Sequence, residues 1–181
     1  MPKTFHKQNG YALLFAILVT SILLSAGLGI SNIIFKELQL SAIGKQSTIS
    51  FYAADTGIEC AYYWERHAPT GVLGMTSTFP KNADEVVALA GGSARCAGAD
   101  IVSKFLGGTP NNSVLATSDH ATTTFTLELD SFVGRPCALV TVEKGSGVTL
   151  IESRGFNVPC SASSDVRRVE RALRYRIQTL P

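Results

Sequence analysis

The residues of this chain that could carry chemistry are few and scattered. The 181 residues include three histidines, and they contain neither a G-x-S-x-G motif nor a P-loop. Asp55 and Glu59 lie one helical turn apart, but carboxylate pairs on an exposed helix face are usually only solvated charge. We therefore expect no catalytic residues, no cofactor and no metal site, and a protein that is not an enzyme.

Arginines are concentrated near the end of the chain. Clustered cations attract the phosphates of DNA without any further motif, whereas the net charge of the whole chain, +2, is too small to indicate a partner. The alternative is a solvated edge strand whose charges keep other chains from pairing with it. No reading motif accompanies the cluster, so DNA contact is the less favoured interpretation. The candidate contact residues are Arg167, Arg168, Arg174 and Arg176.

An apolar segment without charged side chains, residues 11–35, dominates the first part of the chain. At about 1.5 Å per residue, a helix of this length exceeds the roughly 30 Å hydrocarbon core of a bilayer. Lys3 and Lys7 precede it, and lysines so close to a first span hold that end in the cytoplasm. We therefore predict one pass through the inner (cytoplasmic) membrane, with the N-terminus in the cytoplasm and the residues after Phe35 exported.

The first ten residues resemble a leader that is removed in an unusual way. No small-residue A-x-A site follows the apolar segment, so ordinary signal cleavage is not expected. The candidate cleavage point instead lies before that segment, between Gly10 and Tyr11. Cleavage there would discard the charged leader and leave the whole apolar helix as the new N-terminus.

The cysteines all lie on the exported side of the span, and there are four of them. An even number outside the cytoplasm predicts two disulfides. Three pairings are open, and we favour Cys60–Cys96, which would tie a helix end to a later loop, and Cys137–Cys160, which would bracket a hairpin. No C-x-x-C pair supports a metal site.

The helical pattern continues beyond the apolar segment. Apolar residues recur at helical spacing and no proline interrupts them until Pro69, which predicts one helix of about 55 residues, apolar first and amphipathic later. Gly44 and Gly57 weaken this prediction by about 1 kcal/mol each relative to alanine. Part of the contact between this helix and the exported domain is expected from Phe51, Tyr52, Tyr62, Tyr63 and Trp64. The alternative is that some of these rings face solvent or a neighbouring subunit, since the sequence does not fix the rotation of the helix.

The exported domain is predicted to be mostly antiparallel sheet. Asn82 and Glu85 form a capping box for one short helix that ends at Gly91 and Gly92. Residues 145–147 join two strands as a hairpin, and the last strand alternates between apolar and charged residues, as a half-buried strand does. The predicted strands are residues 122–130, 137–144, 148–156 and 168–177. The predicted fold class is α+β: a long N-terminal transmembrane-then-amphipathic helix packed against a small antiparallel β-sheet.

These features together resemble a known family. A short basic leader ending in glycine, an aromatic first mature residue and a long apolar helix resemble type IV pilins. Residues 51–65, FYAADTGIECAYYWE, are similar to the helix-end signature of PilX-type minor pilins and related type IV pilus assembly proteins. The ending RRVERALRYRI, residues 167–177, resembles their final strand. The resemblance implies cleavage after Gly10 by a prepilin peptidase and methylation of the new amine at Tyr11.

One position departs from the family pattern. Most pilins have a glutamate as the fifth mature residue, where it is thought to pair with the N-terminal amine of a neighbour, and here that position is Phe15. This absence resembles minor pilins and pseudopilins at or near a filament tip, and a low-abundance subunit elsewhere in the filament is the open alternative. Ser21, Ser25 and Gly29 recur every four residues, which would let helices approach closely in lipid. With Phe15, they are the candidate helix-packing residues.

The sequence therefore predicts a structural minor pilin or pseudopilin, whose filament would serve adhesion, DNA uptake, motility or secretion at the cell surface. Its expected partners are other pilin subunits, the prepilin peptidase and the inner-membrane assembly machinery. The alternative is a single-pass, signal-anchored membrane protein with an exported ligand-binding domain. The expected divisions are residues 1–10 as the leader, 11–35 as the transmembrane and filament-core helix, 36–68 as its amphipathic continuation, and 69–181 as the exported domain.

Overall fold

The computed structural model describes residues 9–130, 132, 134–145 and 147–178; the predicted leader, except for the backbone of Asn9 and Gly10, lies outside these residues. The chain divides into two compact units, Met1–Gly44 and Lys45–Pro181. In the first unit the side chains from Tyr11 onward are exposed on a single helix, apart from the half-buried Ser31. The second unit contains the remaining elements and the hydrophobic core.

The elements confirm the predicted α+β class. The helices are α1 (Asn9–Glu65), α2 (Ala83–Ala88) and α3 (Ile101–Leu106). The strands are β1 (Arg95–Cys96), β2 (Ala99–Asp100), β3 (Ser113–Ala116), β4 (His120–Glu128), β5 (Cys137–Gly145), β6 (Val148–Phe156) and β7 (Glu170–Gln178). The ends of the four predicted strands agree with the observed ends within two residues, inside the usual uncertainty of such boundaries. The short elements α3 and β3, and the β1–β2 pair, were not predicted.

The main sheet has five antiparallel strands in the order β3-β4-β5-β6-β7. One face carries the inward positions of β5, which are Ala138, Val140, Val142 and Lys144, and all four are buried. The opposite face carries mainly threonines and charged residues, and most of them are partly or fully exposed. One packed face and one solvated face are typical of antiparallel sheets.

The distal part of α1 (residues 45–65) packs against the buried face of the sheet through small residues. Its buried side is formed by Ser50, Ala53, Ala54, Gly57 and Ala61, which recur at helical spacing. A Cβ atom at Gly57 would collide with Ser153 and Val140 on the sheet. A Cβ atom at Gly155 of β6 would collide with the helix backbone at Ser50 and Ala54. The helix and the sheet therefore approach closely because both surfaces lack bulk at this contact.

The structure shows which of the aromatic residues on α1 join the helix to the domain. Phe51, Tyr52 and Tyr63 are exposed on α1. Tyr62 and Trp64 do pack against the core, Tyr62 edge-on to Tyr175 with ring centroids 5.3 Å apart. The other three rings are exposed because they lie outside the row of small residues that faces the sheet.

The hydrophobic core lies between the sheet, the helix end and the segment around α3. Its largest buried side chains include Phe79, Phe105 and Phe125, with Phe79 stacked on Phe125 at a centroid distance of 5.8 Å. Helix α3 contributes Ile101 and Val102 to the same cluster. Burial of these groups is the main favourable contribution to folding of the unit.

Two disulfides connect this unit, in the pairing favoured from the sequence. Cys60 of α1 is bonded to Cys96 of β1, with the Cα atoms 6.0 Å apart. Cys137, at the start of β5, is bonded to Cys160, in the segment between β6 and β7, with the Cα atoms 5.5 Å apart. The first disulfide attaches the helix to the loop region, and the second closes the end of the β5–β6 hairpin.

Candidate assembly helix

The first part of α1 is the candidate functional element. It is long and apolar enough to cross a membrane, and it is the single helix among the described residues that meets this test. Its apolar side chains are open to the surroundings: Tyr11 is 80% exposed and Phe15 is 57% exposed. Such a continuous apolar surface requires lipid or another protein around it, since monomeric soluble proteins rarely leave so large an area exposed.

The hydroxyl groups in this segment are satisfied by the helix itself. Ser21 Oγ donates a hydrogen bond of 2.8 Å to the carbonyl of Leu18, and Ser25 Oγ donates one of 3.0 Å to the carbonyl of Ser21. Thr20 Oγ1 donates similarly to the carbonyl of Ala16 at 2.9 Å. A hydroxyl group that donates to a carbonyl of its own helix reduces the cost of placing serine or threonine in hydrocarbon. These residues therefore do not oppose insertion of the helix into a membrane.

The predicted packing positions form an open strip on the helix. A Cβ atom added at Gly29 would meet nothing within 4 Å. Ser25 and Ser21 are likewise exposed, about one and two turns earlier. Helix packing through this strip stays a prediction. Phe15 offers no carboxylate, and no charged side chain occurs from Tyr11 to Phe35.

The last residue of α1 takes part in a buried ionic contact that the sequence analysis did not identify. Lys144 Nζ lies 3.0 Å from the carboxylate of Glu65, and each side chain is only 9% exposed. Lys144 also donates hydrogen bonds to Ser77 Oγ at 3.0 Å and to the carbonyl of Phe79 at 3.1 Å. The lysine ammonium is thus fully coordinated by protein oxygens.

The carboxylate of Glu65 is satisfied equally well. Ser77 Oγ donates to its Oε2 at 2.8 Å, and Thr149 Oγ1 donates to its Oε1 at 2.9 Å. The contact therefore joins the helix end to β5, to β6 and to the segment that follows the helix. A signal for it existed in the sequence, because Lys144 occupies an inward position of an alternating strand, where a lysine needs a buried partner.

The arginines proposed for DNA contact are divided between the last strand and the segment before it. Arg174 and Arg176 share the solvent-facing side of β7, where Arg174 pairs with Glu152 at 2.9 Å. Arg168 lies over the ring of Phe156, with 3.7 Å from its Cζ to the ring centroid, and Arg167 is 3.7 Å from Asp165. Arg171 of β7 instead donates to Ser47 Oγ of α1 at 2.8 Å.

Acidic side chains reduce the positive charge on this face of the sheet. Arg154 and Glu170 form a cross-strand pair at 2.6 Å, and this hydrogen bond raises the pKa of Arg154. Since Glu152 lies beside Arg174, positive and negative side chains alternate on this face, which is therefore not uniformly basic. DNA contact through these arginines stays an untested prediction, and the charge arrangement does not strengthen it.

Open clefts occur at one end of the sheet. The larger, of about 660 Å³, is lined by His120, Glu143, Leu150, Arg174 and Arg176 among others. A smaller one, of about 380 Å³, has Glu65 and Lys144 on its walls. In the smaller cleft these two charged groups already satisfy each other, so they offer no free group to a ligand.

One cluster of side chains has the interatomic distances of a set of metal ligands, but not their chemistry. Ligand atoms of Glu128, Cys137 and Cys160 lie within 4.8 Å of one another. The two sulfurs are bonded to each other, so neither offers a thiolate, which is the form that binds metal. Glu128 instead accepts a hydrogen bond from the Cys160 amide at 3.2 Å through its Oε1.

Comparison with known proteins yields no relatives: no family, curated protein or solved structure matches this chain. The pilin-like features therefore rest on this chain itself. They are the long apolar N-terminal helix and the small antiparallel sheet on which its distal part packs.

Proposed function

We propose that this chain is a structural subunit, a minor pilin or pseudopilin, of a type IV pilus or a related filament. The observation that carries the proposal is helix α1, Asn9–Glu65, which combines an exposed, uncharged first part with a distal part fixed to a disulfide-bonded sheet domain. The apolar first part can lie in the membrane before assembly. After assembly it can pack against the helices of other subunits. The domain remains on the exported side.

In this proposal the subunit passes through three states. The inner membrane holds the precursor, a prepilin peptidase cleaves it after Gly10, and the new amine at Tyr11 is methylated. Assembly machinery then transfers the apolar helix from lipid into a bundle of similar helices of other subunits. Close helix approach at Ser21, Ser25 and Gly29 would supply packing in this bundle, because packing and not hydrophobicity drives association in lipid.

A position at or near the tip fits the residue at the fifth mature position. A carboxylate at membrane depth is costly and normally present for a purpose. With phenylalanine at this position, Phe15, the chain avoids the cost of a carboxylate in the membrane, but it cannot pair with the N-terminal amine of a preceding subunit. A first subunit has no preceding subunit, so it does not need that group.

Mass spectrometry of the mature N-terminus tests the proposal. In a host that carries the assembly machinery, the mature chain should begin at methylated Tyr11, and the Gly10→Leu variant should keep its leader and be absent from the filament fraction. Gly44→Leu is the matched control, because Gly44 is also a helical glycine, has open space around it, and should be processed normally. A wild-type chain that retains residues 1–10 and never enters filaments would instead support a static membrane-anchored protein with an exported ligand-binding domain.

A further inference from the structure

Strand β7, Glu170–Gln178, is the last strand of the main sheet and has no neighbour on its outer edge. The strand order ends at β7, and among the described residues no backbone hydrogen bond joins that edge to another segment. Ala172, which has only a methyl side chain, is exposed within the strand. An open edge of nine residues is a place where another extended chain can pair with the sheet.

The register of the sheet identifies the backbone groups on this edge. The amide of Asn157 donates to the carbonyl of Val169 at 3.3 Å, immediately before β7. Antiparallel strands exchange hydrogen bonds at every second residue, so the bonds between β6 and β7 continue at the odd-numbered residues of β7. The even-numbered residues direct their N–H and C=O groups to the open edge, and they include Ala172, Arg174 and Arg176.

One side of this edge is basic. Arg174 and Arg176 lie beside it on the solvent-facing side of the sheet, and both are exposed. Arg174 pairs with Glu152 of β6, whereas Arg176 has no ion pair among the described residues. A neighbouring strand would therefore meet a guanidinium group that still lacks a carboxylate partner.

The other side of the edge, beside α1, is apolar and only partly covered. Leu173 is half-buried, and Ile177 packs partly against the core. Tyr175 is 43% exposed, although its ring lies edge-on to that of Tyr62 on the helix. Because side chains alternate between the two faces of a strand, an added strand would place every second side chain over these residues.

We propose that the open edge of β7 binds an extended segment of a partner protein in which acidic and apolar residues alternate. The backbone of this segment bonds to the open N–H and C=O groups of β7. Its acidic side chains lie beside Arg174 and Arg176, and its apolar side chains lie beside Leu173 and Tyr175. The inference goes beyond the proposed function, because it requires only the sheet domain.

The charges of β7 favour this partner over a second copy of the chain. Three arginines and one glutamate give the strand a net charge of +2, so two β7 strands side by side would bring an excess of positive charge together. Arginines at an edge therefore disfavour basic strands and still admit an acidic one. DNA phosphates would contact the arginines as well, but DNA would leave the apolar side beside Leu173 and Tyr175 uncovered.

Amide hydrogen exchange tests first whether the edge is open. It is measured residue by residue by NMR on the full-length protein in detergent. The odd-numbered amides of β7 should exchange slowly because they are bonded to β6, and the even-numbered amides should exchange faster. Slow exchange of the even-numbered amides without any added peptide overturns the inference. If that slow exchange appears only at high protein concentration, the partner is a second copy instead.

The probe for the partner is a synthetic peptide of the length of β7 in which glutamate and valine alternate. We expect it to slow exchange at the even-numbered amides of β7. It should also bind several-fold more tightly than a peptide of the same composition in which the alternation is broken. A peptide with lysine in place of glutamate should bind least. Binding that leaves the even-numbered amides exchanging fast, or equal affinity for the peptide of broken alternation, contradicts strand pairing.

Two variants separate the charge from the backbone contact. Arg176→Glu should weaken peptide binding several-fold, and it removes no ion pair within the described residues. Arg167→Glu is the matched control, because it makes the same change of charge at an exposed residue before β7 and should leave binding nearly unchanged. Ala172→Pro should abolish binding, since proline removes an N–H group that points to the open edge and is not bonded to β6.

The urea unfolding midpoint of each variant shows whether the domain is folded. If Ala172→Pro does not fold, the comparison of Arg176→Glu with Arg167→Glu decides alone. Equal weakening by these two variants overturns the inference, because it indicates diffuse attraction between charges. A DNA oligonucleotide that binds where the peptide does not also overturns it, in favour of DNA contact. None of these outcomes depends on removal of residues 1–10, so failure here is distinguishable from failure of the proposed function.

Discussion

Lys144 and Glu65 form a nearly solvent-free ion pair at 3.0 Å, between an inward position of β5 and the last residue of α1. Both charges are also hydrogen-bonded to neighbouring oxygens or hydroxyls, which offsets part of the cost of removing them from water. The end of the long helix is thereby fixed to the sheet by a polar contact in addition to packing.

Removal of one partner of this pair should be strongly destabilising. Lys144→Met leaves the Glu65 carboxylate buried without its cation, and we expect a loss of about 3 to 5 kcal/mol in the free energy of unfolding. The double variant Glu65→Leu, Lys144→Met should recover most of this loss because no uncompensated charge remains. Urea unfolding of the detergent-solubilised chain, followed by the fluorescence of Trp64, measures both. A double variant less stable than Lys144→Met would contradict this account.

Filling the close contact between helix and sheet should also destabilise the domain. Gly155→Ala places a Cβ atom against the backbone of Ser50 and Ala54, which cannot move aside as a side chain can, and we expect a loss of about 1 to 3 kcal/mol. Gly57→Ala meets side-chain atoms on the sheet and should cost less. The control is Gly44→Ala, which enters open space and should not lower the unfolding midpoint. Equal midpoints for Gly155→Ala and the control would show that the contact is loose.

Loss of either disulfide should reduce stability by amounts that follow the length of the closed loop. Cys60–Cys96 spans 36 residues and Cys137–Cys160 spans 23. In the chain-entropy description, each disulfide adds about 3 to 4 kcal/mol to the free energy of unfolding, slightly more for the longer loop. Paired Cys→Ala variants compared by thermal unfolding under oxidising conditions test this. If both disulfides can be removed without a change in the unfolding midpoint, the core alone would account for the stability of the domain.

Acid should weaken the cap of α3. Burial alone would raise the pKa of Asp100, but hydrogen bonds from Ser93 and from the amides of Ala94, Val102 and Ser103 together lower that pKa below its ordinary value. The folded state therefore holds the carboxyl ionised more firmly than the unfolded chain does. Its contribution to stability is complete above about pH 4, the unfolded value, and is lost as the pH falls through the lower folded value.

Comparison of the wild type with Asp100→Asn isolates this carboxylate. The asparagine can still accept the amide hydrogen bonds but carries no charge. The difference in the free energy of unfolding between the two proteins should be largest near neutral pH and should shrink below about pH 4. A difference that stays constant down to about pH 2 would assign the effect to geometry alone.

The long helix and the four long strands were predictable because their signals are local. The apolar segment and the uninterrupted pattern up to Pro69 define α1, and the predicted strand at residues 148–156 matches β6 in full. Helix α3 and strand β3 are six and four residues long, which is too short for periodicity to distinguish them from loop. Their formation depends on burial against β4, which only the assembled sheet provides.

The helix–sheet contact was predicted only in part, for a related reason. Aromatic residues are the usual source of buried area, and the sequence does not fix which of the five rings face the sheet. Rotation of the helix about its axis decides which face is buried, and the small residues on the other face allow a closer approach. Gly155 within a strand was the available signal, since an isolated strand glycine often marks a close backbone approach.

The disulfide between Cys60 and Cys96 has a mechanical consequence. Tension applied along α1 passes into the sheet through the packing of residues 45–65, and where that packing fails it reaches Cys60, whose covalent bond transmits the load to the segment at Cys96. Hydrogen bonds and apolar contacts slip under a sustained pull, whereas this linkage yields only when a bond is cleaved. Residues 61–95, which lie between the two cysteines, would therefore be shielded from the load even after the packing of the helix had been sheared apart.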